Sequence, residues 1–244
     1  MPELEQLTED WQRGLAIVAH PDDLEFGAAA AIARWTGQGK HLVYCLATSG
    51  EAGIDGMAPD EARRVREAEE RTSAALVGVD EVEFLGLPDG ILEYGVPLRR
   101  ELARAVRRHR PDVVITNNFR DTWDGAVALN QADHIATGRA VLDAVRDAGN
   151  RWVFNEQLIE GLEPWGGVKQ VWAAGSPNAQ HGVDTSDTFE RGVASLEAHE
   201  KYLKGLNSAT FDAEEFLSSM ARVAGTRMGC RYAATFEVFH LISW

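Results

Sequence analysis

An α/β fold in which helices flank a mostly parallel sheet, completed by a less regular C-terminal cap, is what this sequence predicts. Three observations carry that expectation. Short apolar runs rich in β-branched residues recur up to Gly149, each bounded by turn formers. Each run leads into a segment of helical periodicity, the order that right-handed βαβ crossovers and parallel sheets require. Beyond Gly149 the alternation loosens into short pieces between glycine- and proline-containing turns. The implied core is Rossmann-like.

The elements follow in order. Strands are expected over Leu15 to Ala19, His41 to Thr48, Val82 to Leu85 and Asp112 to Thr116, and helices over Leu24 to Gln38, Pro59 to Val77, Pro97 to His109 and about Ala132 to Ala148. After Gly149 come short strands, a helix from about Ser186 to Gly205 that opens on a Ser/Asp cap, and a last helix from Ala213 to Arg222. The tail ATFEVFHLIS alternates apolar and polar residues. No internal repeat or low-complexity linker divides the chain, so residues 1–244 are expected to form one domain, with 1–149 as core and 150–244 as cap.

Composition narrows the function. With 45% hydrophobic and 25% charged residues, the chain has the makings of an ordinary globular core. A formal net charge of −14, from 24 basic and 38 acidic residues, opposes nucleic acid and anionic membrane surfaces and leaves a small molecule as the default partner. Cys45 and Cys230 lie far apart and neither belongs to a CxxC pair, which argues against a disulfide framework or a thiolate metal site and fits a reducing, cytoplasmic setting. The opening MPELEQLTEDWQRG lacks the basic and apolar regions of a signal peptide, and no run reaches transmembrane length. A homo-oligomer is compatible with all of this.

In open parallel sheets, ligands sit beyond the carboxyl ends of the strands. That rule gathers three loops on one rim: His20 to Asp23, Ser49 to Gly56, and Asn117 to Asp133. The first lies in GLAIVAHPDDLEFG, where a buried strand ends in an imidazole and two adjacent carboxylates, a costly crowding unless something neutralises it. His134, near the start of the helix after the fourth strand, falls on the same rim. His20, Asp23 and His134 together offer two imidazoles and a carboxylate with open positions, a ligand set suited to catalytic zinc and also to non-haem iron. Neighbouring side chains in an extended turn diverge, so with Asp23 as ligand, Asp22 is left to take a proton from a water on the metal as general base. Metal-assisted hydrolysis is the chemistry this describes; for Asp22 and for Asp133 a simple helix-cap role is the alternative.

The third loop, NNFRDTWDGAVALN, is polar and aromatic, and Asp121, Trp123 and Asp124 are candidates to shape a substrate pocket, with Trp123 able to stack on a sugar ring. Arg63, Arg64 and Arg66 stand three and four residues from glutamates, a pattern typical of a solvated helix face. His41, His109, His181 and His240 are expected to be structural or exposed.

AHPDDLEFG, TSGEAG, RPDVVIT and DHIATGRAVLDA resemble the zinc-dependent LmbE-like (PIG-L) de-N-acetylases, which include deacetylases of glucosaminyl phosphatidylinositol, mycothiol and bacillithiol synthesis. The resemblance covers roughly the first three-fifths of the chain and one C-terminal helix. It implies an LmbE-like fold and a zinc-dependent N-deacetylase with His20, Asp23 and His134 as ligands and Asp22 as base. Asp133 matches an aspartate that supports the last ligand, His199 a histidine that assists the oxyanion or protonates the leaving group, and Arg66 a substrate-contacting arginine. Many members carry His-Pro-Asp-His where this chain has Gln131-Ala132-Asp133-His134. The amide of Gln131 can donate a hydrogen bond but cannot shuttle a proton, which would shift acid chemistry to Asp22 and His199. Gly27-Ala28 replaces the usual Gly-Gly, a change consistent with close helix packing.

The leading expectation is a metal-dependent hydrolase that removes an N-acyl group, acetyl above all, from an amino sugar or related metabolite, with Zn2+ or Fe2+ bound. A nucleotide-binding Rossmann module is opposed by the absence of GxGxxG after the first strand. A metal-binding protein of reduced or no activity, made conceivable by Gln131, is the alternative, and the ligand set also admits an iron-dependent oxygenase.

Overall fold

The computed structural model describes residues 2–123, 128–206 and 211–241. Its strands are β1 (Glu5–Gln6), β2 (Arg13–Val18), β3 (His41–Leu46), β4 (Glu81–Phe84), β5 (Val113–Asn117), β6 (Gln170–Ala174), β7 (His181–Asp184) and β8 (Ala233–His240). Its helices are α1 (Ala29–Gly37), α2 (Pro59–Leu76), α3 (Val96–His109), α4 (Ala132–Gly149), α5 (Glu156–Ile159), α6 (Phe189–Glu197), α7 (Glu200–Gly205) and α8 (Ala213–Met228). The described strands form one sheet in the order β1-β7-β8-β6-β5-β2-β3-β4.

β2 is buried throughout after Arg13 and pairs in parallel with β3 and β5, Leu15 standing level with Val43 and Val114. Side chains alternate across a strand. Leu15 and Ile17 accordingly face a core shared with Leu102 and Val106 of α3 and Val141 and Val145 of α4. Ala16 and Val18 face the other core, with Ile32 and Trp35 of α1, Trp172 and Phe236. A sheet clad on both faces explains why these strands appear in the sequence as continuous apolar runs.

The chain crosses from β2 to β3 on one side and later places β5 on the other, so strand order reverses at β2. A crevice opens beyond the carboxyl ends of the flanking strands at such a switch point. His20 follows β2 and His134 lies in the first turn of the helix after β5. The topology therefore draws together residues far apart in the chain.

Three boundaries differ from expectation, each for a physical reason. The first helix starts at Ala29 rather than Leu24, because the intervening residues form a turn in which Ala28 N–H donates to Leu24 C=O at 2.7 Å while Asp22 takes a positive φ of 95°. The helix expected over Ser186 to Gly205 is broken at His199, whose φ of −83° and ψ of 49° are not helical, and its first half is capped at Thr188 without a side-chain bond. α8 runs on to Met228, capped at its start by the Asp212 carboxylate accepting from Glu215 N–H and ended by Gly229 at a φ of 71°. The segment after Gly149 does more than cap the core, since β6, β7 and β8 extend the same sheet, with β8 antiparallel between the other two. Ala28, which follows Gly27, is fully buried in the core, and at Gly192 of α6 a Cβ would lie 2.9 Å from the Ala30 backbone nitrogen. No helix among the described residues is long and apolar enough to cross a membrane.

Candidate active site and metal centre

At the crevice, the turn after β2 and the start of α4 bring His20, Asp23 and His134 together, with their donor atoms all within 4.8 Å of one another. His20 Nδ1 faces His134 Nε2 at 3.2 Å, and Asp23 Oδ1 lies 2.8 Å from His134 Nε2. Ligand atoms about 2.0–2.1 Å from a tetrahedral ion are separated by about 3.3 Å. The trio therefore has the dimensions of three of the four positions of a tetrahedral ion.

The surrounding hydrogen bonds decide which ring nitrogens are free. His134 Nδ1 is 2.8 Å from Asn130 Oδ1, and Asn130 is fixed in turn by donating to the carbonyls of Asn118 and Arg120. His20 Nε2 lies 3.0 Å from Asp89 Oδ1 and 3.3 Å from Asp133 Oδ2. An amide oxygen and carboxylates can only accept here, so the protons belong on these outer nitrogens and the lone pairs of His20 Nδ1 and His134 Nε2 point at each other. Such an arrangement is repulsive without a cation and favourable around one. Asp23 Oδ2 meanwhile accepts from the N–H groups of Ala19 and His20 at 3.0 and 2.9 Å, aiming Oδ1 at the same point.

Charge follows the same logic. Burial opposes protonation of His20, yet Asp133, Asp23 and Asp89 push it up to about 12. Burial likewise opposes ionisation of Asp23, but His134 and His20 hold its carboxyl well below the usual range. A bound cation would take over the role that this extra proton plays. His20, Asp89 and Asp133 form a second acidic group. It is already satisfied as one N–H meeting two acceptors.

Asp22, next to Asp23 in the same turn, is also buried. Its Oδ2 lies 3.3 Å from Arg66 Nη2, and its N–H donates to Glu70 Oε2 at 3.2 Å. Burial pushes its carboxyl up against the pull of Arg66. A positive φ on a non-glycine residue is uncommon and costs about 1–3 kcal/mol where the surroundings impose it.

The other expected residues divide. Asp133 does not cap α4, whose N-cap is Gln131; it reaches behind His20 and accepts from Gly90 and Leu92 N–H at 2.7 and 3.0 Å, tying the loop after β4 to the site. Trp123 presents its ring edge-on to His134 with centroids 5.9 Å apart. Asp121 is exposed and contributes its carbonyl to Asn130 N–H, while Asp124 lies outside the described residues. Gln131 is exposed, and no side-chain hydrogen bond is made by it among the described residues. Arg66 is not on a solvated face but only 2% exposed. Its guanidinium donates to the carbonyls of Gly50 and Pro21 and stacks on Tyr202, 4.2 Å from the ring centre.

His199 is fully buried, its Nε2 3.7 Å from Glu70 Oε2 and 3.9 Å from Glu25 Oε2. Among the described residues, neither ring nitrogen has a partner within hydrogen-bond distance. His199, expected to assist the oxyanion or the leaving group, stands in an enclosed cluster with Glu25 and Glu70, near enough to Asp22 for their charges to interact. Burial raises the Glu70 carboxyl, and the nearby Glu25 raises it further. A cavity of about 110 Å³ lies alongside, between α1, α6 and α8, and shares only Glu25 with these clusters.

Asp89, Asn130, Glu25 and Glu70 were not singled out from the sequence. Asp89 follows the four-residue strand β4, and Asn130 sits four residues before His134, a spacing that could have suggested an orienting partner. Glu70, four residues after Arg66, carried the opposite signal, that of a surface ion pair.

Comparison with known proteins bears on this arrangement. The chain is similar to the diacetylchitobiose deacetylase of Thermococcus kodakarensis, 29% identical over 92% of this chain and 82% of that one. It resembles the 1D-myo-inositol 2-acetamido-2-deoxy-alpha-D-glucopyranoside deacetylase of Mycolicibacterium gilvum at 29% identity over 87% of this chain and 78% of that one. Among solved structures, the N,N'-diacetylchitobiose deacetylase of Pyrococcus horikoshii superposes with a TM-score of 0.85 at 25% identity, covering 95% of this chain and 85% of that one. A 4-carboxy-2-hydroxymuconate hydratase from Pseudomonas putida, 18% identical, shares the fold alone, with a TM-score of 0.74, covering 96% of this chain and 98% of that one. Residues 15–145, more than half of the chain and the part that supplies every residue of the converging trio, match the GlcNAc-PI de-N-acetylase model, and the chain belongs to that PIG-L family.

Proposed function

We propose that this chain is a zinc-dependent N-deacetylase that hydrolyses the acetamide of an amino sugar or a related small metabolite. The observation that carries the reading is the pair of inward-facing imidazole nitrogens, 3.2 Å apart and joined by Asp23, with Asp22 held beside them. His20 Nδ1, Asp23 Oδ1 and His134 Nε2 would hold the ion, zinc in this reading, with ferrous iron the alternative that the donor set admits. When bound, the ion would supply Lewis acidity, lowering the pKa of a water and polarising the amide carbonyl.

The chain's own residues do the rest. Asp22 accepts a proton from the attacking water and returns it to the nitrogen as the C–N bond breaks, leaving a free amine and a carboxylate. Asn130, Asp89 and Asp133 keep the two imidazoles in the productive tautomer. Trp123 forms an apolar edge against which a sugar ring can lie, and of the exposed residues nearby Asp121 can accept a substrate hydrogen bond while Gln131 can donate or accept one. His199 acts from beneath, on the charge around Asp22 and Glu70, rather than by touching the carbonyl. The family and the acetamide-cleaving relatives support the acyl group and the sugar class.

The test is amine release from a panel of N-acetyl amino sugars and thiol-glycoside precursors by the metal-loaded protein. Turnover on at least one of them is expected, and Asp22→Asn should lower it by about 10²–10⁴-fold. A fully metal-loaded protein that releases no amine from any of them would point to the alternative, a metal-binding protein of the same fold with no hydrolase activity.

A further inference from the structure

Arg66 and Glu70 lie one turn apart on α2, both almost completely buried, and they do not pair with each other. Each reaches the same peptide bond. Arg66 Nη2 donates to the Pro21 carbonyl, and Glu70 Oε2 accepts from Asp22 N–H at 3.2 Å. These are the two polar groups of the single peptide unit that joins Pro21 to Asp22. A trans peptide directs its carbonyl and its N–H to opposite sides, so one donor and one acceptor are the least that fixes its plane. Side chains four residues apart share a helix face and can engage both at once. That plane sets the φ of Asp22, which stands at 95°.

The clamp is itself braced. Arg66 is seated by its bond to Gly50 C=O at 2.9 Å and by the Tyr202 ring. A Cβ at Gly50 or Gly53 would come within 2.2 or 2.3 Å of Arg66 Nη1, so the loop after β3 is shaped around the guanidinium. Glu70 backs onto His199 and Glu25, in a layer where Ser73 Oγ donates to Glu25 Oε1 at 2.6 Å. We propose that Arg66 and Glu70 are positioning residues, a two-point clamp that holds the Pro21–Asp22 peptide in the left-handed conformation and thereby aims the Asp22 carboxylate at the reacting water; this rests on Asp22 acting as base.

Two substitutions separate acceptor from bulk. Glu70→Met fills the space without an acceptor oxygen, whereas Glu70→Gln keeps one. In the metal-loaded enzyme, Glu70→Met should lower kcat by about 10²-fold with KM and bound metal unchanged. Its crystal structure should show Asp22 leaving positive φ. Glu70→Gln should recover most of kcat and retain the positive φ. Wild-type kcat or an unmoved Asp22 in Glu70→Met overturns the clamp, as does a Glu70→Gln enzyme that folds and binds metal but has lost turnover. If Asp22→Asn turns over normally, the general-base reading fails, while the φ of Asp22 in the Glu70 variants still decides the clamp.

Discussion

Asn130 shows how a residue with no chemistry of its own can govern one that has it. Its side-chain oxygen accepts a hydrogen bond from His134 Nδ1–H, which keeps the proton on Nδ1 and leaves the Nε2 lone pair free to bind. Outer hydrogen bonds of this kind are worth about 10–100-fold in metal affinity. Asn130→Ala should therefore weaken metal binding by about that factor in a competitive chelator titration, and an unchanged affinity would show that the tautomer is set elsewhere. Gly50 makes the complementary case for space. It sits at a φ of 63°, and a Cβ there would meet Arg66 Nη1 at 2.2 Å. Gly50→Ala should cost about 1–3 kcal/mol in urea unfolding, because the substitution combines left-handed backbone with a clash against a buried cation. A stability within error of wild type would mean that Arg66 can withdraw freely.

At the scale of the element, Asp112 illustrates a residue whose role changes once strands are paired. In RPDVVIT it is expected as the first residue of the strand, which in the fold starts at Val113. In the fold its Oδ2 accepts from the N–H groups of Gln12 and Arg13, at 3.0 and 2.9 Å, pinning β5 to the start of β2. Those two strands carry the halves of the candidate metal centre. Removing the acceptor by Asp112→Ala should destabilise the chain by about 1–2 kcal/mol, less than a fully buried charged bond because the site is open to water. Thermal unfolding measures this, and no shift in midpoint would contradict it. The broken helix at His199 belongs to the same scale: continuous helix through residue 199 would satisfy the backbone, yet the chain departs from it and lodges the imidazole between Glu25 and Glu70.

Across the whole molecule, carboxylates far from the crevice set the acid limit of stability. At Glu9, burial is outweighed by the hydrogen bonds from Arg34, Gln38 and Trp35, which hold its carboxyl below the usual value. At Glu83 burial is likewise outweighed by His109 and Arg108, and at Asp184 by Ser186. A carboxyl whose folded pKa is depressed adds stability above its unfolded pKa and loses it as pH falls through the folded one. The unfolding midpoint should therefore drop as pH is lowered below about 4, and a flat profile down to pH 3 would contradict the assignment. The sheet core was legible because strands buried on both faces leave unbroken apolar runs, as in DVVIT, and the convergence of His20, Asp23 and His134 was legible because the rule for strand ends places them on one rim. Asp89, Glu25 and Glu70 were not, because their partners lie across the sheet and along other helices, and no local pattern distinguishes a buried glutamate on α2 from a solvated one.

The central claim is a division of labour at the end of β2: His20 and Asp23, joined by His134, hold an ion, and Asp22 works on a water beside it. Measuring bound metal and amine release together, in wild type, His134→Ala and Asp22→Asn, tests it most directly. The account predicts metal and turnover in wild type, loss of both in His134→Ala, and in Asp22→Asn retained metal with turnover reduced by about 10²–10⁴-fold. Retained turnover in Asp22→Asn, or full metal occupancy in His134→Ala, would contradict it.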